Sequence, residues 1–319
     1  MKKIIAIGEA LIDMSPSETG CKIKEVNHFS PHVGGAPTNV CGAIAKLGGE
    51  GMIITQLGND PFGDKILDYL IHYKVNITAI QRTDLANTGL AFVSLEKDGK
   101  REFSFYRKPS ADLLMEPETL KKEWFDGAYA LHFCSVDLVD FPMRKTHLRA
   151  IEMAKKVGAI ISFDPNLRFA LWDNQEEYQQ AIREFLAYAD IVKIADDELE
   201  FITGEREVKN GWKWLQLNYP NLKILIYTKG ERGASVFGQY DLQIDVSSQA
   251  VVALDTTGAG DGFIGAFLCQ MAKEEINYCQ LSKISKEQLQ KIAQFANDFA
   301  TESVQHYGAI SSYPSCKCQ

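Results

Sequence analysis

A glycine-rich segment late in the chain, DTTGAGDGF at residues 255–263, places two carboxylates around a tight turn. Apolar residues follow at helical spacing between residues 263 and 271, which predicts that a helix begins where the turn ends. Small residues let a ligand approach the backbone closely, and the unpaired N–H groups of a helix N-terminus attract anions. The turn residues are Gly258, Ala259 and Gly260, and Asp261 follows them.

This combination of residues suits phosphoryl transfer. In that reaction fixed donors stabilise the charge on the migrating group, and a carboxylate accepts the proton of the attacking hydroxyl. Asp261 is the candidate base, and the turn at 258–260 is the candidate anion site. A second interpretation is an aspartate that caps a helix after an ordinary glycine turn. The motif alone leaves both interpretations open.

Two better-known phosphate-binding patterns are missing from the sequence. The segment GNDPFGDK has the glycine spacing of a P-loop, but Asp64 takes the place of the lysine, and neither Ser nor Thr follows Lys65. The segment IAIGEALID lacks the G-x-G-x-x-G pattern that holds a dinucleotide. The sequence therefore supports neither a P-loop NTPase nor a Rossmann dehydrogenase.

A second glycine-rich segment, HVGGAPTNV at residues 32–40, precedes another helical pattern. Gly34 and Gly35 permit close approach of a ligand, and Asn39 offers both a donor and an acceptor. These groups suit a ligand rich in hydroxyl groups. Taken alone, the segment is better explained as a turn with an asparagine near a helix start.

The composition argues against several classes of partner. The net charge of -8 disfavours electrostatic binding to nucleic acid or to an anionic membrane. The seven cysteines include no C-x-x-C pair, which is typical of free thiols in a reducing compartment. No apolar run approaches the roughly 20 residues of a membrane span. We therefore expect a cytoplasmic protein that binds neither nucleic acid nor membrane.

The pattern of elements indicates a single α/β domain. Short β-branched runs such as KIIAIGE and GAIISFDP alternate with helical patterns, which predicts a mainly parallel sheet covered by helices on both faces. Two stretches interrupt this alternation. Residues 12–33 lack a helix pattern, and residues 88–109 read as a hairpin with its turn at Asp98–Gly99. These stretches are either a decorative insertion or a lid over a site.

The glycine-rich motifs GGAPTN, GNDPFG and DTTGAGD, in this order, resemble those of the ribokinase-like (PfkB-type) carbohydrate kinases. Matches run from GEALID near the start to GAISSYP near the end, and REFSFYRKPSADLLM and SFDPNLR are similar to the fructokinase branch. The resemblance implies a three-layer α/β sandwich with a small β-sheet lid at about 12–33 and 88–109, often used as a dimer contact. It also implies transfer of the γ-phosphoryl group of ATP, with Mg²⁺, to a sugar hydroxyl, with fructose as the expected substrate.

The resemblance assigns roles to individual positions. The residues implied in catalysis are Asp261 as the base, Gly258, Ala259 and Gly260 as the anion site, and Arg168 near the substrate or the migrating phosphate. Those implied in sugar binding are Asp13, Gly34, Gly35, Asn39 and Arg107. Those implied in nucleotide binding are Thr228, Gly230, Gly233, Asn297 and Lys193. Those implied in holding a monovalent cation such as K⁺ are Asp255, Thr257, Ser303, Gly308 and Ser312.

The expected magnesium site departs from the family pattern. Many members have N-x-x-E there, whereas this chain has ADDE, with Ala195 at the asparagine position. Glu198 remains and is expected to act through water, since Mg²⁺ keeps several waters and needs few carboxylates. An acidic, solvated helix start is the alternative reading of this segment.

Two other functions stay open from the sequence. One is a kinase of the same family for 2-keto-3-deoxygluconate or a riboside. Members that act on the acidic sugar typically carry tyrosine where this chain has Phe105, two residues before Arg107, and this favours a neutral sugar. The other is a non-catalytic sugar-responsive binding protein. That function predicts loss of the base or the anion turn, yet both are present, and only Ala195 favours it. The sequence decides neither K⁺ dependence nor oligomeric state.

Overall fold

The computed structural model of the protein describes residues 2–18, 20–95 and 101–315. Within these residues the strands are β1 (Lys3–Ile7), β2 (Leu11–Pro16), β3 (Phe29–Gly34), β4 (Glu50–Gly58), β5 (Asn76–Thr83), β6 (Leu90–Leu95), β7 (Arg101–Tyr106), β8 (Ala128–Cys134), β9 (Ile160–Asp164), β10 (Ile191–Ala195), β11 (Ile224–Thr228), β12 (Ala234–Phe237) and β13 (Gln243–Val246). The α-helices are α1 (Ala36–Lys46), α2 (Pro61–His72), α3 (Pro142–Lys156), α4 (Gln175–Leu186), α5 (Leu199–Thr203), α6 (Val208–Asn218), α7 (Ala259–Lys273) and α8 (Lys286–Ser303).

The main sheet has the strand order β13-β12-β11-β10-β9-β8-β1-β4-β5. The strands β5, β4, β1, β8, β9, β10 and β11, which are neighbours in this order, are all parallel. Strands β12 and β13 add an antiparallel edge next to β11. The carboxyl ends of β8, β9, β10 and β11 therefore lie along one edge of the sheet. In open α/β sheets this is the edge where ligands bind.

Helices cover both faces of the main sheet. One apolar cluster contains residues of α1, α2, α7 and α8, and the other contains residues of α3, α4, α5 and α6. Strand β1 illustrates why the sheet is buried on both sides. Ile4 and Ala6 point into the first cluster, whereas Ile5 and Ile7 point into the second. The predicted three-layer α/β sandwich is confirmed.

A second, smaller sheet has the strand order β3-β2-β6-β7. Strands β2 and β6 are parallel, and the other two pairs are antiparallel. Its strands fall in the two stretches that interrupt the sequence pattern. On one face, Ile12 and Val33 pack into the core, while Asp13 lies on the opposite face. The predicted turn at Asp98–Gly99 lies outside the described residues.

The motif GNDPFG begins α2 and does not form a phosphate loop. One carboxylate oxygen of Asp60 accepts the N–H groups of Phe62 and Gly63, and the other accepts the N–H of Thr88 at 2.7 Å. Asp60 therefore caps the helix and ties it to the chain that enters β6. None of the helices in the described parts of the chain combines the length and apolar character needed to cross a bilayer.

Candidate active site

The N-terminus of α7 carries the motif that the sequence singled out. Gly258 is in the left-handed region with φ of 74°, and the helix begins at Ala259, two residues before the predicted start. A Cβ on Gly258 would lie 2.7 Å from the Tyr313 hydroxyl, which donates to the Gly258 carbonyl at 2.7 Å. Only glycine fits this backbone and this contact. The N–H of Ala259 donates a 3.3 Å hydrogen bond to the Thr256 carbonyl. The N-terminus of the helix presents its first-turn amides at the edge of the site.

Asp261 lies in the first turn of α7 and meets Asn39 of α1. The Asn39 amide donates from Nδ2 to Asp261 Oδ2 at 2.9 Å. The two helices pack closely because Gly265 lacks a side chain, and a Cβ there would lie 2.9 Å from that of Ala43. Burial raises the pKa of Asp261 to about 6, although the Asn39 hydrogen bond opposes the shift. The structure thus brings together two predicted residues that are far apart in sequence.

A buried ion pair lies beneath the α7 N-terminus. Lys193 in the middle of β10 donates to Asp164 at the end of β9, with Nζ 2.7 Å from Oδ2. A Cβ on Gly260 would lie only 3.3 Å from the Lys193 Nζ, so the lysine is directly beside the glycine turn. Burial disfavours the lysine charge, but Asp164 and Glu198 outweigh it and raise the pKa of Lys193. The site therefore holds a fixed positive charge next to the candidate anion site.

Glu198 is buried behind this ion pair. Its two carboxylate oxygens accept the N–H groups of Leu167 at 2.7 Å and Ala195 at 2.8 Å. Burial and the nearby Asp164 carboxylate raise the pKa of Glu198. Asp164 Oδ1 is buried and has no hydrogen-bond partner among the described residues. Two carboxylates of the site thus lie close enough to interact, and one keeps an unused oxygen.

Arg168 lies at the mouth of the site, in the segment after β9. Its backbone N–H donates to the Tyr178 hydroxyl at 2.9 Å, and its Nη1 donates to the Leu167 carbonyl at 2.9 Å. Its guanidinium carbon is 5.9 Å from the ring centroid of Phe103 in the small sheet. The positive charge of Arg168 lowers the pKa of Asp261, which places Arg168 within electrostatic reach of the candidate base.

The glycine pair before α1 packs against the chain that follows β1. A Cβ on Gly34 would collide with the Asp13 carboxylate, and one on Gly35, with φ of 106°, would lie 2.5 Å from the Glu9 carbonyl oxygen. The Glu9 carboxylate accepts the N–H of Ala36 at 2.8 Å and so serves the start of α1. Asp13, Gly34, Gly35 and Asn39 are thereby grouped at one corner of the site.

Arg107, predicted to face the substrate, is buried at 4% exposure in an ionic cluster. Its Nη2 donates to Asp112 and to Asp137, while its Nε and Nη1 have no partner among the described residues. Burial raises the pKa of Asp137 to about 7 against the influence of Arg107. Burial and Asp137 raise the pKa of Glu9 well above its usual range. Three carboxylates share one guanidinium, so the cluster carries no excess of positive charge.

The predicted nucleotide residues line the neighbouring part of the same edge. Thr228 ends β11 beside Ala195, and its carbonyl accepts the N–H of Asp196 at 3.0 Å. Gly230 and Gly233 follow with positive φ, in the turn between β11 and β12. Asn297 of α8 is buried, donates to the Ser247 carbonyl at 3.2 Å and accepts from the Ser248 hydroxyl at 3.1 Å. Asn297 therefore orders the loop that leads to α7.

The predicted cation residues cluster where this loop meets the chain after α8. Asp255 accepts from the backbone and hydroxyl of Thr257 at 2.9 and 2.6 Å, and from the N–H of Gly308 at 2.9 Å. Ser303 and Ser312 instead donate to carbonyls of their own segments. Asp255, Thr257 and Gly308 are thus directly joined. No group of three or more His, Cys, Asp or Glu side chains suited to a metal occurs in the described parts of the chain.

Sequence reasoning missed four carboxylates of this region. They are Glu9, Asp112, Asp137 and Asp164. A signal existed for Asp164, because it ends a buried strand within the segment SFDPNLR. Asp112 and Asp137 gave none, because their significance comes from burial beside Arg107.

A carboxylate of raised pKa beside a helix N-terminus and a buried lysine is the arrangement of a phosphotransferase with a hydroxyl acceptor. The matching family model is described as pfkB family carbohydrate kinase and covers residues 1–316. The chain belongs to this family.

The chain is also similar to individual proteins along almost all of its length. It is 39% identical to Probable fructokinase-2 of Arabidopsis thaliana, over 98% of this chain and 93% of that protein. The structure of fructokinase with bound ATP from Xylella fastidiosa superposes with a TM-score of 0.88 and 32% identity, covering 98% and 96% of the two chains. A fructokinase double mutant from Vibrio cholerae O395, in its fructose-, ADP- and potassium-bound form, superposes with a TM-score of 0.85 and 29% identity, covering 98% and 96%.

Proposed function

We propose that the protein is an ATP-dependent kinase that transfers the γ-phosphoryl group to fructose and forms fructose 6-phosphate. The observation that carries this proposal is the Asp261–Asn39 pair beside the N-terminus of α7. The similarity to fructokinases over nearly the whole chain supports fructose as the acceptor.

Asp261 acts as the base that accepts the proton of the sugar hydroxyl. With a pKa of about 6 it is mostly ionised at neutral pH, yet it binds a proton more readily than an exposed aspartate. The amides at residues 258–260 face the migrating phosphoryl group, and Lys193 and Arg168 add positive charge. The charge that develops during transfer is thus met by groups that are already in place.

The sugar lies between the glycine pair and Asp261. Asp13, Gly34, Gly35 and Asn39 contact its hydroxyl groups. Asn39 Oδ1 is buried and has no partner among the described residues, so it can accept a hydrogen bond from a sugar hydroxyl.

Arg107 contributes unpaired Nε and Nη1 donors from the side of the small sheet. Because two carboxylates already pair with its Nη2, it offers no surplus charge to an acidic sugar. This supports a neutral substrate over 2-keto-3-deoxygluconate.

The nucleotide occupies the edge formed by Thr228, Gly230, Gly233 and Asn297, with Lys193 near its phosphates. Magnesium bound with the nucleotide would neutralise phosphate charge. The unpartnered Asp164 Oδ1 and the Glu198 carboxylate fit the oxygen ligands or ordered waters that this ion prefers. The residues that would hold K⁺ are Asp255, Thr257, Ser303, Gly308 and Ser312.

The small sheet acts as a lid at residues 12–33 and 88–109 and excludes water, which would otherwise compete as the acceptor. We further propose that it forms the contact of a homodimer. Light scattering of wild type and Tyr106→Arg tests the dimer, because a wild-type mass of one chain contradicts it. We also propose a cytoplasmic location, which cell fractionation tests.

The decisive experiment measures ADP release with fructose, ribose, glucose, 2-keto-3-deoxygluconate and ribosides. We expect the highest kcat/KM with fructose, a ³¹P NMR spectrum of a 6-phosphate, and a loss of about 100-fold or more in Asp261→Asn. Repeating the assay with Na⁺ in place of K⁺, and with EDTA, tests the two cations. Absence of turnover with fructose contradicts the substrate, and full activity of the Asp261 variant contradicts the base.

A further inference from the structure

We propose that Phe103, a residue of the small sheet, positions the guanidinium of Arg168 at the mouth of the site and so keeps its charge directed at Asp261. The inference deepens the kinase function proposed above and rests on it. Phe103 is then a positioning residue that acts through Arg168.

The backbone of Arg168 is firmly held, whereas its long side chain has few restraints. Its N–H donates to Tyr178, whose hydroxyl also bonds to Ser135 at 2.7 Å and whose ring stacks on Trp172 at 4.6 Å. Among the described residues, the side chain makes one hydrogen bond, to the adjacent Leu167 carbonyl. A flexible arginine loses considerable rotamer freedom when it is fixed, so it needs a further contact to hold one orientation.

Phe103 supplies that contact from across the cleft. Its ring centroid lies 5.9 Å from the Arg168 guanidinium carbon, within the roughly 6 Å at which a ring face attracts a cation. The ring is itself braced, because it stacks on Phe105 at 5.8 Å with an interplanar angle of 4°. Strand β7 also contacts the turn at residues 169–171, directly after Arg168. The small sheet therefore meets the main domain at this arginine.

Strand register places Phe103 on the site face of the small sheet. Asp13 pairs with Ala91, and Ala91 pairs with Phe105, so these residues share a face. Phe103 is two residues from Phe105 and shares that face as well. Phe92 pairs with Ser104 and therefore lies on the opposite face.

The consequence for the reaction is electrostatic. The charge of Arg168 lowers the pKa of Asp261, and this effect weakens if the guanidinium moves into solvent. Loss of the Phe103 ring would then leave less of the base ionised at neutral pH and less positive charge near the migrating phosphoryl group. Both effects lower turnover while the sugar and nucleotide contacts remain.

The kinetic test compares Phe103→Leu with Phe92→Leu. Phe92 is a matched control, because it is also a phenylalanine of the small sheet packed against aromatic rings, those of Phe29 and Tyr106, but it lies on the other face. We expect F103L to lower kcat about 2- to 5-fold, with KM nearly unchanged, and to shift the acidic limb of the pH profile upward. Phe103→Tyr keeps a ring and should return both kcat and the position of the acidic limb to their wild-type values. Equal effects of F103L and F92L, or an unmoved acidic limb, overturn the proposal.

A second measurement does not depend on turnover. Modification of Arg168 by phenylglyoxal, followed by peptide mass spectrometry, reports its freedom directly. We expect faster modification in F103L than in wild type and an unchanged rate in F92L. Equal rates in all three proteins overturn the positioning role even if the kinase is active. A wild-type protein that phosphorylates no sugar contradicts the proposed function instead, whatever the modification rates are.

Discussion

Removal of the Asn39 amide tests the coupling between α1 and the candidate base. Asn39 donates to Asp261 at 2.9 Å, and this bond lowers a pKa that burial has raised to about 6. In Asn39→Ala the carboxylate loses a donor to its charged form. We therefore expect the pKa of Asp261 to rise further and the acidic limb of the activity profile to move to higher pH.

The size of the shift follows from the strength of the bond. A hydrogen bond to a charged group contributes about 1.5–3 kcal/mol, and one pKa unit corresponds to about 1.4 kcal/mol. Because Asp261 is only partly buried, water replaces part of the lost donor, and we expect a rise of about one unit. The ionised fraction then falls from about 0.9 to about 0.5 at pH 7. At pH 6 it falls from about 0.5 to about 0.1.

The assay is the pH dependence of kcat/KM for fructose, which reports the free enzyme. Each profile is normalised to its own alkaline plateau, so that a weaker sugar contact in the variant does not enter the comparison. The Asn39 variant should fall below wild type about twofold at pH 7 and about fivefold at pH 6. Asn59→Ala is the control, because Asn59 makes a similar 2.8 Å bond to Asp84 at an exposed position.

Two results would refute this reasoning. An unchanged acidic limb in the Asn39 variant means that another group is the titrating base. A limb that moves to lower pH means that Asn39 stabilises the protonated form of Asp261, against the donor geometry.

Three further predictions concern the turn, a buried acid and the ion pair. In Gly258→Ala the new Cβ must occupy a left-handed backbone conformation and would lie 2.7 Å from the Tyr313 hydroxyl. We expect urea denaturation to show a loss of about 1–3 kcal/mol in stability, and kcat to fall by up to about 100-fold. A wild-type rate would contradict this prediction. Burial raises the pKa of Asp190 to about 6, so its favourable contribution is complete below its unfolded pKa near 3.8 and is lost as pH rises to about 6. Asp190→Asn should therefore gain about 2–3 kcal/mol relative to wild type between pH 4 and pH 7, and a stability difference independent of pH would rule out this origin. Lys193→Met leaves the buried Asp164 carboxylate without its ion-pair partner and should lower the free energy of unfolding by about 3–5 kcal/mol. Adding Asp164→Asn should restore part of this loss in the double variant. Strictly additive losses in denaturation experiments would exclude the coupling.

The local chemistry of the site was readable from the chain. The helix after the glycine turn and the position of Asp261 in its first turn follow from residue spacing within one segment. The helix start differed by two residues, because Ala259 and Gly260 adopt helical geometry as soon as Gly258 supplies the left-handed turn. The sequence correctly indicated that the motif GNDPFG is not a P-loop. In the structure this motif starts α2, and the Asp60 carboxylate caps the helix.

The environment of Arg107 shows what spacing cannot predict. The family resemblance implied that its side chain faces the sugar, and that role stays a proposal. The structure pairs it with Asp112, five residues further along the same segment, and with Asp137 of a separate segment, and both carboxylates are buried. Burial decides both the pairing and the raised pKa of Asp137, and burial is a property of the packed layers.

By itself, therefore, the sequence determined the elements, the alternation that builds a three-layer sandwich, and the types of group available for phosphoryl transfer. These depend on side-chain periodicity and turn chemistry within short windows of the chain. Only the tertiary structure decided that Asn39 meets Asp261 and that Lys193 lies against Gly260. The physical reason is that parallel strands end at one edge of the sheet and α1 packs on α7, which joins groups that no local pattern connects.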